Sequence, residues 1–399
     1  MTDTRAVRTR TRGTRVRRPA TSPVTDAILA ETGMPTAGPS ALDATALDTA
    51  ARDSAVRDSA TLAAATGAAV NPAALNSAAV DTEMDVATEL LLRARDVVLV
   101  AHIHPDADAL GSAMALGMGL ARRGTPVAVS FAEPMTIPES LRKLPGGHLV
   151  VRPEQLPENP DLLVSLDVGS AERLGSLARL LDTCRQSLVI DHHPSNTRFG
   201  QFHLVDASAE ATVVLVARLL DRLGIPIDRQ IADNLYAGLA TDTGHFRHAD
   251  SGAHRLAARL IDAGVRPAEV MHPITESHPF GWLGMLSKVL GGAVLDRDAA
   301  HGMGLVYTVI DDVTRGGLRP EELDSVIDIL CTAEEAAVAA VLKQTDEQIW
   351  QVSLRSRSEV DVAAVAAVLG GGGHVRAAGF THHGDPMLAI SALRAVLAG

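Results

Sequence analysis

Cysteines, aromatic residues and long apolar runs are all scarce in this chain of 399 residues. The two cysteines, Cys184 and Cys331, form no CxxC pair, which argues against a disulfide framework or a thiolate zinc site and favours a reducing, cytoplasmic compartment. Aromatic residues make up 3% of the chain, too few for a platform that stacks the bases of a long single strand. No apolar run reaches the length of about 18 residues that a membrane span requires, and the N-terminus lacks the apolar region of a secretory signal. We therefore expect a protein that is neither exported nor bound to a membrane.

Positive charge is also scarce outside the N-terminus. Of the formal net charge of −12, the first 18 residues contribute +6 through seven arginines and one aspartate, which leaves −18 on residues 19–399. Long nucleic acids bind through many contacts between basic side chains and phosphates, so a body this acidic disfavours them as partners. A phosphate-containing ligand would have to be short.

The first 82 residues differ in composition from the rest of the chain. A head rich in Arg and Thr is followed by Ala, Thr, Ser and Asp, including the near-repeat ARDSA-VRDSA at 51–60. Such a segment buries too little apolar surface to offset its ordering entropy, so we predict a disordered tail over residues 1–82. Met84 is an alternative translation start, and the head also resembles a transit peptide.

From residue 83 to about 275, strands and helices alternate, which is typical of a parallel sheet covered by helices on both faces. Ligands of such sheets bind at the carboxyl ends of the strands. The predicted strands are 97–101, 126–131, 162–169 and 187–193. The predicted helices are 108–124, 171–182, 209–223 and 228–240.

A second, smaller α/β domain is predicted for residues 301–399, after a connecting helix and linker at 276–300. The chain pattern predicts strands at 301–311 and 349–357 and helices at 333–340 and 361–369, followed by the glycine run GGGGH at 370–374. The fold class is therefore α/β with two domains, and we expect the site to lie in the cleft between them.

Metal-type ligands follow the first of these strands, in the segment HIHPDAD at 102–108. His102, Asp106 and Asp108 are the candidates, and Pro105 keeps the turn tight because it disfavours the helical conformation of the residue before it. The alternative for Asp108 is a plain helix N-cap. Three potential ligands within seven residues at a strand end favour metal binding.

Three further acidic or imidazole groups occupy comparable places. Asp167 ends another strand, DHH at 191–193 ends a third, and Asp242 follows an apolar helix. The DHH residues could instead form a structural hydrogen-bond cluster. Carboxylates and imidazoles without thiolate suit Mn²⁺, Mg²⁺ or Fe, and donors too numerous for one ion suit a pair about 3.5–4 Å apart. A pair needs a bridging carboxylate, for which Asp167 is the candidate.

The last group of interest combines the two arginines of LRSR with the glycine run GGGGH. We expect one of the two arginines to reach the site. Glycines let backbone N–H groups approach a phosphate closely, and a histidine beside them can donate a hydrogen bond. The alternative is a flexible hinge.

Taken in order, HIHPDAD, SLDVG, DHH, TDTG and GGGGH resemble the motifs of the DHH phosphoesterases with a DHHA1 domain, over residues 85–399, and the two-domain layout is similar to the NrnA-type nanoRNases. The resemblance implies one Mn²⁺ on His102, Asp106 and Asp167, and another on Asp108, Asp167, His192 and Asp242. It implies that His193 contacts the scissile phosphate and that Asp191 orients its neighbours. It implies substrate contacts from the following residues: Arg355, Gly371, Gly372, Gly373 and His374. His104 receives no role.

The resemblance also implies the reaction. We expect a Mn²⁺-dependent hydrolase, with Mg²⁺ or Co²⁺ as possible substitutes, in which a metal-activated hydroxide cleaves short oligoribonucleotides and converts 3'-phosphoadenosine 5'-phosphate to AMP. The main alternative is a phosphodiesterase for cyclic dinucleotides such as c-di-AMP or for linear pApA. A manganese pyrophosphatase and a non-catalytic nucleotide- or RNA-binding module are less favoured. The family also suggests a homodimer.

Overall fold

The computed structural model describes residues 72–398, so the predicted tail before Pro72 lies outside the described residues. The first described element is helix α1 (Pro72–Arg93), and it corrects the prediction that the tail extends to residue 82. Val80 and Met84 are buried in the core of the first domain, together with Leu91. The spacing of these apolar residues is helical, but the Ala- and Ser-rich composition around them obscured it.

The first domain contains a five-stranded, fully parallel sheet with the order β2-β1-β3-β4-β5. Its strands are β1 (Val97–Ala101), β2 (Val127–Ser130), β3 (Leu162–Leu166), β4 (Gln186–Asp191) and β5 (Phe202–Val205). The sequence correctly predicted the first four and missed β5, which is short. Because β1 and β3 are neighbours while the chain winds outward from them in opposite directions, their carboxyl ends form a topological switch point.

Helices pack on both faces of this sheet, the α-helices on one face and a 3₁₀ segment on the other. They are α2 (Ala107–Arg122), α3 (Thr212–Arg222), α4 (Arg229–Asp242), α5 (Ser251–Asp262) and α6 (Pro267–Thr275), with a 3₁₀ segment at Ala171–Leu181 that kinks at Gly175. The sequence did not predict α5 and α6. Gly111 of α2 allows α2 and α4 to pack closely, because a Cβ there would lie 2.9 Å from the carbonyl oxygen of Asn234.

The second domain is built on a six-stranded mixed sheet with the order β10-β11-β9-β8-β7-β6. Its strands are β6 (Val294–Asp296), β7 (Leu305–Ile310), β8 (Val338–Asp346), β9 (Ile349–Ser356), β10 (Gly372–His374) and β11 (Ala377–His383). Its helices are α7 (Gly281–Gly291), α8 (Val326–Leu330), α9 (Val362–Val368) and α10 (Pro386–Ala398), with single helical turns at Ala299–Gly302 and Asp312–Arg315. Apolar side chains from both faces of the sheet form separate cores.

The helix predicted for residues 333–340 is wrong. Residues 338–342 begin strand β8, which pairs in parallel with β7 and antiparallel with β9 and is completely buried over those five positions. A short run of Ala, Val and Leu buried on both faces has no period of two, so its pattern does not distinguish a central strand from a helix.

Among the helices of residues 72–398, none combines the length and the apolar character needed to cross a lipid bilayer.

Candidate active site

The carboxyl ends of β1 and β3 bring together the first group of donor atoms. His102 and Asp167 are buried, with exposed fractions of 4% and 3%. His102 Nε2 lies 3.7 Å from Asp106 Oδ2 and 3.6 Å from Asp167 Oδ2. These three residues have ligand atoms close enough together to hold one metal ion.

A second group of donors surrounds His192 at the end of β4. His192 Nε2 lies 3.8 Å from Asp108 Oδ2, 3.6 Å from Asp167 Oδ1 and 3.1 Å from Asp242 Oδ2. Asp108, Asp167 and His192 form another set of ligand atoms near enough to share an ion. Asp242 comes from the C-terminal turn of α4 and closes this group from the side.

Asp167 belongs to both groups, and its two oxygens face different ones. Oδ2 faces His102 and Oδ1 faces His192. A carboxylate shared in this way has the geometry to bridge two ions, which is the role proposed for it from the number of donors. Asp167 itself adopts a left-handed backbone conformation with φ of 60°, which is uncommon for a residue with a side chain.

Hydrogen bonds at Nδ1 orient the rings of His102 and His192 so that Nε2 faces the carboxylates. The Nδ1 of His102 lies 2.7 Å from the carbonyl oxygen of Ile103, and that of His192 lies 3.1 Å from the carbonyl oxygen of Ala209. An Nδ1–H that donates to a carbonyl leaves the Nε2 lone pair free for an ion. His192 Nε2 is buried and has no hydrogen-bond partner among residues 72–398.

The donor set fits a pair of hard or borderline divalent cations. Adjacent ligands of an octahedral ion with bonds of about 2.1 Å are about 3.0 Å apart, so separations of 3.1–3.8 Å require only small inward movements. Oxygen donors outnumber nitrogen donors, which suits Mn²⁺ or Mg²⁺ better than structural zinc.

When no ion is bound, the carboxylates of this cluster favour the protonated forms of its histidines. Burial opposes the charge on His102, but Asp106 and Asp167 outweigh it and raise the pKa of His102 to about 9. Burial also opposes the charge on His192, and Asp242 chiefly raises its pKa to about 11. Burial raises the pKa of Asp242 to about 6, against the attraction of His192. Burial opposes the charge of Asp167 as well, but contact with His102 holds its pKa below the usual range.

Asp106 and Asp108 accept hydrogen bonds from the backbone N–H groups of different helices. Asp106, rather than Asp108, is the N-cap of α2, and its Oδ1 accepts hydrogen bonds from the N–H groups of Asp108 and Ala109. Asp108, which is 0% exposed, accepts hydrogen bonds from the first two N–H groups of α3, on Thr212 and Val213. The simple capping role considered for Asp108 in its own helix therefore belongs to Asp106.

His193 lies beside both groups and is held by Asp191. The Nδ1 of His193 donates to Asp191 Oδ1 at 2.8 Å, and Asp191 Oδ2 accepts from Asn196 Nδ2 at 2.5 Å. Burial opposes the charge on His193, but Asp191 outweighs it and raises the pKa of His193. The sequence contained no signal that distinguished Asn196 from any other polar loop residue.

The second domain brings His374 onto the same surface. Its ring centroid lies 4.6 Å from that of His193, with an interplanar angle of 26°, and 4.7 Å from that of His192. Burial, followed by repulsion from His193 and His192, lowers the pKa of His374 to about 4. The predicted cleft between the two domains therefore contains histidines from both.

The glycine run forms an edge strand rather than a free loop. A Cβ at Gly371 would lie 2.1 Å from the carbonyl oxygen of Gly379, and one at Gly373 would lie 2.5 Å from that of Ala377. These two glycines are required because β10 approaches β11 closely. Gly372 also faces the first domain, where a Cβ on it would lie 3.8 Å from Ser195 Oγ.

Arg355 lies in one row with His374 across three strands. Arg355 pairs with Ala377 in β11, and Ala377 pairs with His374 in β10. Directly paired residues project from the same face of a sheet, so the small Ala377 leaves a trough about 10 Å wide between the two larger side chains. The Arg355 side chain is 34% exposed, and its Nε lies 3.6 Å from Asp328 Oδ1. The other arginine of the motif, Arg357, donates instead to the carbonyl oxygens of Cys331 and Ala333.

Sequence reasoning missed two residues that shape the metal-type cluster. Thr212 Oγ1 donates to Asp167 Oδ1, and Gly238 of α4 makes room for Asp108, since a Cβ there would lie 2.8 Å from Asp108 Oδ1. The available signals were a glycine inside a helix and a helix that starts without a polar N-cap. His104, His245 and His248 are exposed.

Two family descriptions match the sequence. Residues 96–239 match the DHH family, N-terminal domain, and residues 302–397 match the DHHA1 domain. All of the first-domain donors except Asp242 lie inside the first match, and the row from Arg355 to His374 lies inside the second.

Characterised relatives and a solved structure extend these matches. The bifunctional oligoribonuclease and PAP phosphatase NrnA of Thermus thermophilus is 35% identical over 308 residues, covering 76% of this chain and 89% of the relative. The cyclic-di-AMP phosphodiesterase GdpP of Bacillus subtilis is 25% identical over 318 residues, covering 72% of this chain and 45% of that protein. The crystal structure of an exopolyphosphatase-related protein from Bacteroides fragilis shares the fold, with a TM-score of 0.71, 22% identity, and coverage of 80% of this chain and 96% of its own.

Proposed function

Because this chain belongs to the DHH and DHHA1 family of phosphoesterases, metal-dependent hydrolases of phosphoric ester bonds, we propose that it hydrolyses short oligoribonucleotides and 3'-phosphoadenosine 5'-phosphate. The relative with 35% identity is named for both activities. The net charge of −18 on residues 19–399 supports a short substrate, since a long polyanion would be repelled. The products would be mononucleotides from the oligoribonucleotide, and AMP with inorganic phosphate from the bisphosphate.

The observation that carries this proposal is the position of Asp167 between two sets of donors. In our proposal His102, Asp106 and Asp167 hold one Mn²⁺, and Asp108, Asp167, His192 and Asp242 hold a second. When bound, such a pair polarises a phosphoryl oxygen and acidifies a water molecule at neutral pH. Mg²⁺ or Co²⁺ are further candidates for the same donors.

The chain's own side chains orient the phosphate that reacts. His193, with Nδ1 tied to Asp191, has Nε2 available for a phosphoryl oxygen, and Asn196 fixes the Asp191 carboxylate in turn. Hydrolysis joins a water oxygen to phosphorus, breaks the ester P–O bond and passes a proton to the departing nucleoside oxygen. A donor held rigidly before the reaction stabilises the developing charge without further reorganisation.

The second domain would bind the rest of the substrate. We propose that Arg355 and His374 contact a second phosphate or the terminal nucleotide, and that the backbone of Gly371, Gly372 and Gly373 approaches it closely. The row in which Ala377 separates Arg355 from His374 supports this, because it provides a trough next to His193. For Arg355 to contact substrate, its guanidinium must leave or share Asp328.

Hydrolysis of cyclic dinucleotides, or of their linear products such as pApA, is the second candidate. It is favoured by the 25% identity to a cyclic-di-AMP phosphodiesterase over 72% of this chain. The reacting bond is again a phosphoric ester, so the same donors would serve. The two candidates differ in the shape that the trough beside His374 must accept.

The test is a comparison of kcat/KM, with Mn²⁺, on 3'-phosphoadenosine 5'-phosphate, a diribonucleotide, pApA and c-di-AMP, with pyrophosphate as the control for a pyrophosphatase. We expect the diribonucleotide and the bisphosphate to be the best substrates. A dominant kcat/KM for c-di-AMP would establish the second candidate, and a dominant rate on pyrophosphate would contradict both.

We also propose that the protein is a cytoplasmic homodimer. Both thiols, Cys184 and Cys331, are free, which fits a reducing compartment. The dimer is proposed from the family resemblance. Light scattering coupled to size-exclusion chromatography would test it, and a monomer mass would contradict it.

A further inference from the structure

Helix α3 begins without a cap of its own. Its N-cap residue is Ala211, which has no side-chain acceptor for the free N–H groups of the first turn. Helices usually satisfy such groups with Ser, Thr, Asp or Asn at this position. Here the acceptor comes from elsewhere in the fold, since Asp108 Oδ2 accepts from the Thr212 N–H at 2.7 Å and Oδ1 from the Val213 N–H at 2.9 Å.

Thr212 contacts a second carboxylate through its side chain. Its hydroxyl donates to Asp167 Oδ1 at 2.9 Å, and Thr212 is itself 0% exposed. One residue therefore binds two carboxylates from different strand ends, one through its backbone and one through its side chain. Because the side chain is not used for capping, it is free to make this contact.

We propose that Thr212 is a positioning residue that fixes the rotation of the Asp167 carboxylate, so that each oxygen faces one of the two donor groups. Without the hydroxyl, the carboxylate can turn about its Cβ–Cγ bond, and Oδ1 no longer faces His192. This inference rests on the metal centre of the proposed function, because it concerns the same carboxylate.

The consequence is unequal for the two ions. Oδ2 of Asp167 lies 3.6 Å from His102 Nε2, whereas Oδ1, which lies 3.6 Å from His192 Nε2 and from His193 Nδ1, is the oxygen that accepts the Thr212 hydrogen bond. Loss of the hydroxyl should weaken the ion held by Asp108, Asp167 and His192 more than the ion held by His102 and Asp106. Loss of an outer hydrogen bond to a ligand typically weakens metal affinity by about 10–100-fold.

The experiment is a Mn²⁺ titration of the full-length protein, freed of metal and followed by the paramagnetic resonance of unbound Mn²⁺, without substrate. Thr212→Val removes the hydroxyl at nearly constant volume, and Thr212→Ser restores it. Thr308→Val is the matched control, because Thr308 is also buried and donates to a carbonyl oxygen, that of Val289, in the other domain.

We expect wild type, Thr212→Ser and Thr308→Val to bind two ions alike, and Thr212→Val to bind one ion normally and the other about 10–100-fold more weakly. Two sites of wild-type affinity in Thr212→Val would overturn the inference while leaving the metal centre intact. Failure of wild type to bind two ions would instead contradict the proposed function. Should Thr212→Val not fold by circular dichroism, Thr212→Ala removes the same hydroxyl with less crowding and is judged by the same two-site comparison.

Discussion

In the parallel-sheet domain most side chains of the site are buried and tied to one another, with the Asp106 side chain, 56% exposed, at the rim, whereas in the mixed-sheet domain the site consists of partly exposed side chains on strands β9 and β10. Asp108, Asp167 and His192 are at most 3% exposed, and each contacts at least one other member of the cluster or its supports. Arg355 is 34% exposed and paired with a single carboxylate. The first half is therefore organised before any substrate arrives, and the second half can adapt to what binds.

The difference implies a division of labour. Rigid, buried groups suit a metal centre, because ion affinity and charge stabilisation depend on fixed donors. Exposed groups on a trough suit recognition of a variable nucleotide. Changes in the first domain should therefore act mainly on kcat and on ion binding, and changes in the second mainly on KM.

The largest effect is expected for Asp167→Ala. Removing the carboxylate shared by both donor groups should lower Mn²⁺-dependent hydrolysis by at least about 10³-fold, since charge stabilisation at the reacting phosphate is lost. Steady-state kinetics on a diribonucleotide would measure it. The control is Asp361→Asn, which alters the N-cap of α9 in the other domain. An Asp167→Ala enzyme with wild-type turnover would remove this residue from the centre of the site.

A smaller effect is expected for Arg355→Ala. Loss of one charge-assisted hydrogen bond to a phosphate should raise KM for a diribonucleotide by about 10–100-fold with little change in kcat. Arg357→Ala is the matched control, because Arg357 donates only to nearby carbonyl oxygens among the described contacts. An unchanged KM in Arg355→Ala, or an equal rise of KM in the control, would contradict the proposal that Arg355 contacts the substrate.

The affinity of the first-domain site for Mn²⁺ should depend on pH. In the ion-free protein the pKa of His102 is raised to about 9 and that of His192 to about 11, so both imidazoles carry protons at neutral pH and must release them to an ion. Apparent Mn²⁺ affinity should rise about tenfold per pH unit for each proton released, from pH 6.5 towards 9. Calorimetry in buffers of different ionisation enthalpy counts these protons, and a pH-independent affinity would contradict the ligand set.

The same raised pKa values predict how the stability of the ion-free fold changes with pH. A histidine whose pKa is higher in the folded than in the unfolded protein stabilises the fold fully at pH values below its unfolded pKa of 6.5. This contribution is lost as the pH rises through its pKa in the folded protein. The ion-free protein should therefore lose stability between pH 6.5 and 9 because His102 loses its proton. His374→Ala should leave this loss unchanged, since the pKa of His374 is lowered to about 4.

The smallest effect on activity is expected at the outer edge of the parallel sheet. Glu83 of α1 is 1% exposed and accepts hydrogen bonds from the Val205 N–H of edge strand β5 and from Arg198. Glu83→Gln should lower the free energy of unfolding by about 1–3 kcal/mol and leave kcat and KM of the folded enzyme unchanged. Urea denaturation would measure it beside Glu89→Gln, an exposed position of the same helix. Equal stability of the two variants would show that α1 does not brace the sheet through Glu83.

The sequence indicated which polar residues of the first domain come together, because a parallel sheet gathers the ends of its strands at one edge. His102, Asp106, Asp167 and His192 follow strands that could be recognised from short apolar runs. Asp242 was found from its place after an apolar helix. The order of the strands did not have to be known for these residues to be expected together.

The supports of the site could not be predicted, because they depend on tertiary contacts. Thr212 donates to a carboxylate 45 residues away in the chain, and nothing in its local sequence indicates that partner. The trough between Arg355 and His374 depends on the pairing of β9, β11 and β10, and β11 was not predicted at all. Strand β8 was taken for a helix because its buried Ala and Val run lacks alternation.

The central claim is that Asp167 bridges two ions at the switch point of the parallel sheet. Crystals grown with Mn²⁺ and measured on both sides of the manganese absorption edge would locate the ions directly by anomalous scattering. The account predicts two peaks about 3.5–4 Å apart, one beside His102 and Asp106 and the other beside Asp108, His192 and Asp242, with Asp167 between them. A single peak, or peaks that leave Asp167 without an ion, would contradict it.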